Sequence, residues 1–171
     1  MDLKRYIRDV PDFPSPGVLF RDITPLLQDP AALHYALDEM AAQVEARGVT
    51  AIVGIESRGF LFGAPVADRL GLPFVPVRKP GKLPAQRMSV EYSLEYGSGQ
   101  LDIHADALTA SDRVVVIDDL LATGGTALAA AKLAELLGAT VDGFLFLIEL
   151  AALRGRDRLA EYDVKALLRY E

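Results

Sequence analysis

The chain has 171 residues, of which 51% are hydrophobic and 25% charged, with a net charge of −6 and a pI near 5.0. That length suits one domain with its own core, and the acidic balance argues against broad nucleic-acid binding, which needs a positive field. There is no cysteine and there are two histidines, which excludes disulfides, thiol catalysis and cysteine-held metals and argues against a histidine-rich metal site.

The opening stretch carries Pro11, Pro14, Pro16 and Gly17, the composition of an extended arm with turns. It lacks the apolar core of a signal peptide, and no apolar run approaches the ~20 residues that cross a bilayer. The expectation is a cytoplasmic protein with no membrane contact. From Pro30 to Arg47, Leu33, Ala36, Leu37, Met40, Ala41 and Val44 recur at helical spacing, and Gly48 marks a stop. "AIVGI" at 51–55 reads as a buried strand, "FLFGAPVADRLG" at 60–71 as a helix ending on glycine, and "FVPV" at 74–77 as a strand.

The segment 79–100 is irregular. Val90, Tyr92 and Leu94 alternate with polar residues, so part of it can form a hairpin. The rest reads as a long mobile loop, and such loops usually carry function or are disordered. "RVVVID" at 113–118 is a strand, Thr126 to Leu137 a helix, and 143–150 and 163–169 further strands. Apolar strands alternating with helices predict an α/β fold: a mostly parallel twisted sheet flanked by helices. A single domain over 1–171 is expected, with an N-terminal hood at 1–29 and a core at 30–171 that includes the mobile loop.

In such a sheet, ligands bind beyond the carboxyl ends of the strands. Asp118 and Asp119 stand where one strand ends, and "LLATGGT" leads into a helix. A helix start offers unpaired N–H groups and the positive end of a dipole. Gly124 and Gly125 let the backbone approach an anion, and Thr123 and Thr126 add hydroxyls. This is the chemistry of a monophosphate cradle. Two carboxylates would repel phosphate but suit the vicinal hydroxyls of a ribose, so a sugar phosphate satisfies both halves. On composition alone, acids that cap a helix and glycines that turn would also explain the pattern. Neither the lysine-bearing nucleotide loop nor the dinucleotide fingerprint is present. The basic cluster Arg78, Lys79, Lys82 and Arg87 reads, taken alone, as a solvated loop.

Four apolar residues, two acids and "LLATGGT" resemble the ribose-phosphate loop of the type I phosphoribosyltransferases. "PDFPSPGVLFRDITPLL", "ESRGFLFGAPVA", "VPVRKPGKLP", "YSLEYG" and the ending "LLRYE" resemble the adenine-using members, over nearly the whole chain. The resemblance implies transfer of phosphoribosyl from 5-phosphoribosyl 1-pyrophosphate to adenine, giving AMP and pyrophosphate, with Mg2+ held mainly by the substrate and no dedicated protein metal site. It implies that Ala122, Thr123, Gly124, Gly125 and Thr126 hold the 5′-phosphate while Asp118 and Asp119 face the ribose. Glu56, Ser57 and Arg58 would bind pyrophosphate on a loop with a cis Glu56–Ser57 peptide. Arg78, Lys79 and Lys82 would join them, Arg78 reaching across a homodimer. Backbone at Leu19 and Arg21 would read adenine, with Phe20 and Leu150 against the ring. Glu95 would handle the proton, with Tyr96 beside it.

Two other readings share parts of this pattern. One is a transferase of the same fold for hypoxanthine, guanine or xanthine. The other is a phosphoribosyl-pyrophosphate sensor acting on transcription, which would need a nucleic-acid-binding extension or a basic face.

Overall fold

The computed structural model describes residues 1–93 and 97–171. They form two compact units, 1–39 and 40–171. In the first, a 3-10 turn at Leu3–Tyr6 precedes the strands β1 (Arg8–Pro11) and β2 (Leu19–Asp22), which pair antiparallel with Asp9 opposite Arg21 and Val10 opposite Phe20. The proline-rich stretch predicted as an arm is therefore a hairpin connection, with a cis Phe13–Pro14 bond. Asp12, at φ 57°, turns the chain and takes the Gly17 amide on its carboxylate at 2.7 Å. A short helix α1 (Thr24–Gln28) follows, started by Pro25 in its first turn and by Asp22, which accepts from the Thr24 amide and hydroxyl. Helix α2 (Pro30–Glu45) then passes from the first unit into the second. Asp29 begins it by accepting from the Ala32 amide at 2.9 Å.

The second unit is built on a five-stranded parallel sheet in the order β4-β3-β7-β8-β9. Its strands are β3 (Ala51–Ile55), β4 (Phe74–Val77), β7 (Arg113–Leu121), β8 (Thr140–Leu150) and β9 (Asp163–Tyr170), with helices α3 (Phe60–Leu70) and α4 (Gly125–Leu136) in the connections. All four strand pairings are parallel. Parallel strands are covered on both faces, which is why they read as unbroken apolar runs. Alternate residues serve the two faces. Ala51, Val53 and Ile55 join Val114, Val116, Phe144 and Phe146 in one buried cluster with the alanine-rich side of α4. Each of the large side chains in it contributes roughly 1.5–3 kcal/mol by leaving water. On the other face α3 packs closely, because Gly54 and Gly63 leave room for Phe74. A Cβ on Gly54 would stand 2.4 Å from that ring, and one on Gly63 2.8 Å from it.

Strands β7 and β8 are longer than their apolar runs suggest. β7 continues through Asp118 and Asp119 to Leu121 because β8 stays in register beside it, with Asp118 opposite Phe146 and Leu121 opposite Glu149. The acid pair thus lies within a strand, and the turn into α4 is confined to 122–124. The irregular segment also holds more order than its composition suggests. β5 (Arg87–Ser93) and β6 (Ser98–His104) form an antiparallel hairpin with Tyr92 opposite Gly99.

One buried carboxylate joins this hairpin to the basic segment. Asp102, fully buried in β6, accepts from Ser89 Oγ at 2.7 Å and Gln100 Nε2 at 2.8 Å, with Arg87 Nε at 3.3 Å. Its amide and carbonyl exchange hydrogen bonds with those of Arg78. Burial alone would raise its pKa, but the Gln100 and Ser89 donors and the Arg87 charge outweigh burial and hold it low. Among the described residues no helix is long and apolar enough to cross a membrane.

Candidate active site

A cavity of about 650 Å3 opens beyond the carboxyl ends of β3 and β7, where ligands are expected in an open α/β sheet. The β3 loop supplies Glu56, Ser57 and Arg58, and the β4 loop supplies Lys79 and Pro80. The end of β7 and its turn supply 118–124, α4 supplies Thr126 and Ala127, and the hairpin supplies Tyr92 and 98–101.

The β3 loop is tightly placed. The Glu56–Ser57 peptide is cis, as the resemblance implied. Gly59 sits where a Cβ would meet the Ile55 carbonyl at 2.5 Å, and Asp118 Oδ1 and the Ile117 carbonyl at 2.9 Å. Only glycine lets this loop lie against the ends of both strands. The Glu56 carboxylate accepts from Arg78 Nε at 3.1 Å and from the Lys79 amide at 3.0 Å, so it ties the β3 loop to the β4 loop. Burial works to raise its pKa, yet the Lys79 amide and the Arg78 guanidinium together bring it below the usual value. Arg78 also lies over the Phe60 ring, 5.9 Å from its centre.

Asp118 Oδ1 accepts the Asp119 amide at 2.8 Å. Asp119 is buried, and its Oδ2 makes no hydrogen bond, although Arg58 Nε stands 3.0 Å away as an ion pair. Burial pushes the Asp118 carboxyl well above the ordinary range, and the neighbouring Asp119 charge adds to the effect. Asp119 is also raised by burial, with Arg58 opposing. The pair therefore places concentrated, poorly solvated acceptor capacity on the cavity wall, which favours a partner with hydroxyls or developing positive charge.

Beyond the acids, Gly124 takes φ 83° and opens α4 with no side-chain cap, and no acidic residue stands in the first turn. The first N–H groups of α4 are left for a ligand, and the left-handed φ explains the glycine. Mg2+ prefers oxygen ligands and commonly uses one or two carboxylates beside substrate oxygens. Among the described residues no group of three potential ligands occurs. The unsatisfied Asp119 Oδ2 and its neighbour Asp118 fit that partial role.

The predicted residues Glu56, Ser57, Arg58, Lys79, Asp118, Asp119, Ala122, Thr123, Gly124 and Thr126 meet in this one cavity. Gly125, the first residue of α4, does not line it. Arg78 and Lys82 do not line it. Arg78 is held by Glu56 and donates to the Lys82 carbonyl at 3.4 Å. Leu150 ends β8 opposite Tyr170. Leu19, Phe20 and Arg21 form β2 in the first unit, where Phe20 meets Phe13 edge-on at 5.1 Å and Arg21 pairs with Asp9. Glu95 and Tyr96 lie outside the described residues. The sequence allowed a hairpin here but gave no sign that it would wall the cavity. Tyr92 rests on Gly99, where a Cβ would come within 2.6 Å of its ring. The alternation around Val90 and Tyr92 was the available signal, but nothing local marks 98–101 as its partner.

Comparison with known proteins agrees with the geometry. The phosphoribosyl transferase domain model matches residues 26–167. Adenine phosphoribosyltransferase from Synechococcus sp. is 59% identical over 171 residues, all of both chains, and that from Gloeobacter violaceus is 62% identical over 94% of each. The crystal structure of the Thermoanaerobacter pseudethanolicus adenine phosphoribosyltransferase aligns with TM-score 0.96 at 53% identity, covering 99% of this chain and 98% of that one. The Saccharomyces cerevisiae enzyme, complexed with an imino-altritol bisphosphate and adenine, aligns with TM-score 0.91 at 40% identity over 98% and 97%. A domain model spanning most of the chain, together with relatives more than half identical along nearly all of it, establishes that the chain belongs to the phosphoribosyltransferase family, in its adenine phosphoribosyltransferase branch.

Proposed function

We infer that the protein transfers the phosphoribosyl group of 5-phosphoribosyl 1-pyrophosphate to adenine, forming AMP and pyrophosphate in purine salvage. The observation that carries this reading is a single cavity joining an uncapped helix start, the half-buried Asp118 beside the buried Asp119, and two loops bearing Arg58 and Lys79. A sugar that is phosphorylated at one end and carries pyrophosphate at the other needs this sequence of environments. The names of the relatives supply the base.

In the reaction the C1′–O bond to pyrophosphate breaks, the C1′–N9 bond to adenine forms, and the base loses its N9 proton. Main chain at 122–126 and the Thr123 and Thr126 hydroxyls hold the 5′-phosphate. Asp118 and Asp119 accept from the ribose hydroxyls, and their charge favours the oxocarbenium character that develops at C1′. Arg58 and Lys79 receive the departing pyrophosphate, with Ser57 on the same loop. Mg2+ would be held mainly by substrate oxygens with Asp118 and Asp119 in support, and would supply positive charge to the departing pyrophosphate. Adenine is read by main chain at Leu19 and Arg21, with Phe20 and Leu150 as apolar contacts. Glu95 receives the proton.

The protein acts as a cytoplasmic homodimer in this reading. Arg78, turned to Glu56 rather than lining its own cavity, serves the partner's pyrophosphate, with Lys82 beside it. The test is incubation with phosphoribosyl pyrophosphate, Mg2+ and each purine base in turn. AMP from adenine is expected. Nucleotide formed only from an oxo-purine, or none from any base, would overturn the proposal.

A further inference from the structure

The cradle at 122–124 is backed by a second stretch of chain. After β8, a turn at Ala151–Leu153 leads into the short helix α5 (Gly155–Arg158). Gly155 presents bare main chain to the cradle. A Cβ on Gly155 would stand 2.3 Å from the Ala122 carbonyl oxygen and 2.8 Å from Leu121 Cδ1. In the other direction, a Cβ on Gly124 would meet the Gly155 carbonyl oxygen at 2.7 Å. The closest contacts between the two segments are main chain to main chain, with the Leu121 side chain packed alongside. Close-packed contacts of this kind pass displacement on rather than absorb it.

The turn that carries Gly155 is itself fastened. Arg156 donates from Nε to Glu149 Oε1 at 2.7 Å and from Nη2 to Oε2 at 2.8 Å, and Nη1 donates to the Val164 carbonyl at 2.7 Å. This bidentate fork fixes orientation as well as distance. Glu149 is buried, and the Arg156 hydrogen bonds hold its carboxyl below the usual range despite burial. Glu149 in turn lies opposite Leu121 in the sheet. A continuous path of contacts therefore runs from the β8–β9 edge through Arg156 and Gly155 to Ala122 and Gly124. None of Glu149, Gly155 and Arg156 lines the cavity.

We propose that Gly155, held in place by the Glu149–Arg156 fork, is a positioning residue for the 5′-phosphate cradle, setting the main chain of 122–124 and so the aim of its N–H groups. The proposal rests on the reading of 122–126 as the phosphate site. A methyl group at Gly155 would push the Ala122 carbonyl back by about 1 Å to regain ordinary contact, and a misplacement of that size can cost on the order of a hundredfold.

The experiment compares Gly155→Ala and Arg156→Lys with wild type. Steady-state kinetics give KM for phosphoribosyl pyrophosphate and for adenine. Calorimetry gives Kd for AMP, which uses the 5′-phosphate site, and for Mg2+–pyrophosphate, which does not. In Gly155→Ala, KM for phosphoribosyl pyrophosphate and Kd for AMP should rise about tenfold or more. KM for adenine and Kd for pyrophosphate should stay within about twofold. Arg156→Lys keeps the charge but loses the fork, and should shift the same two constants less. If Gly155→Ala fails to fold, Arg156→Lys decides the matter on the same readouts. Unchanged AMP affinity, or equal weakening of AMP and pyrophosphate, overturns the positioning role. A wild-type protein that binds neither AMP nor phosphoribosyl pyrophosphate would overturn the cradle reading itself, and this proposal with it.

Discussion

Replacing Gly59 with alanine probes how finely the β3 loop is placed. The added carbon would lie 2.5 Å from the Ile55 carbonyl oxygen and 2.9 Å from both the Ile117 carbonyl oxygen and Asp118 Oδ1. Two of these three atoms belong to the main chain of adjacent sheet strands, which cannot swing away. The loop must therefore retreat by about 0.9 Å for the closest contact to relax. That movement would carry Ser57 and Arg58 with it and disturb Arg58 against Asp119. Overpacking of this sort costs about 1–3 kcal/mol. For a protein of this size, each kcal/mol corresponds to roughly 2–4 °C in Tm. The functional effect should be larger in proportion, since about 1 Å of misplacement can cost a hundredfold in rate. Initial rates of AMP formation and a calorimetric melt on the same preparation separate the two effects. A variant with lowered Tm but wild-type kcat/KM for phosphoribosyl pyrophosphate would refute the claim that loop position governs the site.

The raised pKa of Asp118 makes a prediction with a definite sign. Between the unfolded value near 3.9 and the higher folded value, the native protein holds a proton that the unfolded chain has released. The associated stability is complete at acid pH and lost as pH rises through the folded value. Asp118→Asn should therefore melt higher than ligand-free wild type at about pH 8, with the gap closing toward pH ~4, while turnover falls. An unchanged gap across that range would count against the assignment. Proline at position 21 should spoil discrimination between adenine and hypoxanthine, whereas Arg21→Ala should keep most of it. Two mismatched buried contacts are worth about a hundredfold in kcat/KM, and equal loss in both variants would point to the side chain. Mixing inactive Arg78→Ala with inactive Asp118→Asn subunits should restore one working site per heterodimer. No recovery after confirmed subunit exchange would confine Arg78 to its own chain.

The parallel sheet was legible because its strands are buried on both faces. "AIVGI", "RVVVID" and "GFLFLIEL" carry that fact in composition alone. Their true ends were not legible, since β7 runs on to Leu121 by pairing with β8, and pairing leaves no local mark. The β1–β2 hairpin was hidden by prolines that sit at its connection and edge. The acids and the glycine-threonine turn pointed to a sugar phosphate because the chemistry that suggests one is local to ten residues. Gly59 and Gly155 announced nothing. Each owes its identity to main-chain atoms that arrive from distant parts of the sequence. Tyr92 and Gly99 are complementary only once β5 and β6 are paired.

Asp102 has a consequence for how this protein opens. Its carboxylate gathers Ser89, Gln100 and Arg87, while its own amide and carbonyl are matched to those of Arg78. The hairpin cannot peel away without exposing a charge now held by two hydrogen bonds and the Arg87 ion pair, and the segment after β4 cannot leave without breaking both main-chain bonds. The two stretches are thus locked into one cooperative unit. Hydrogen exchange at the Arg78 and Asp102 amides should report a shared opening free energy, and the loss of a single carboxylate should bring both to the faster exchange of a frayed edge.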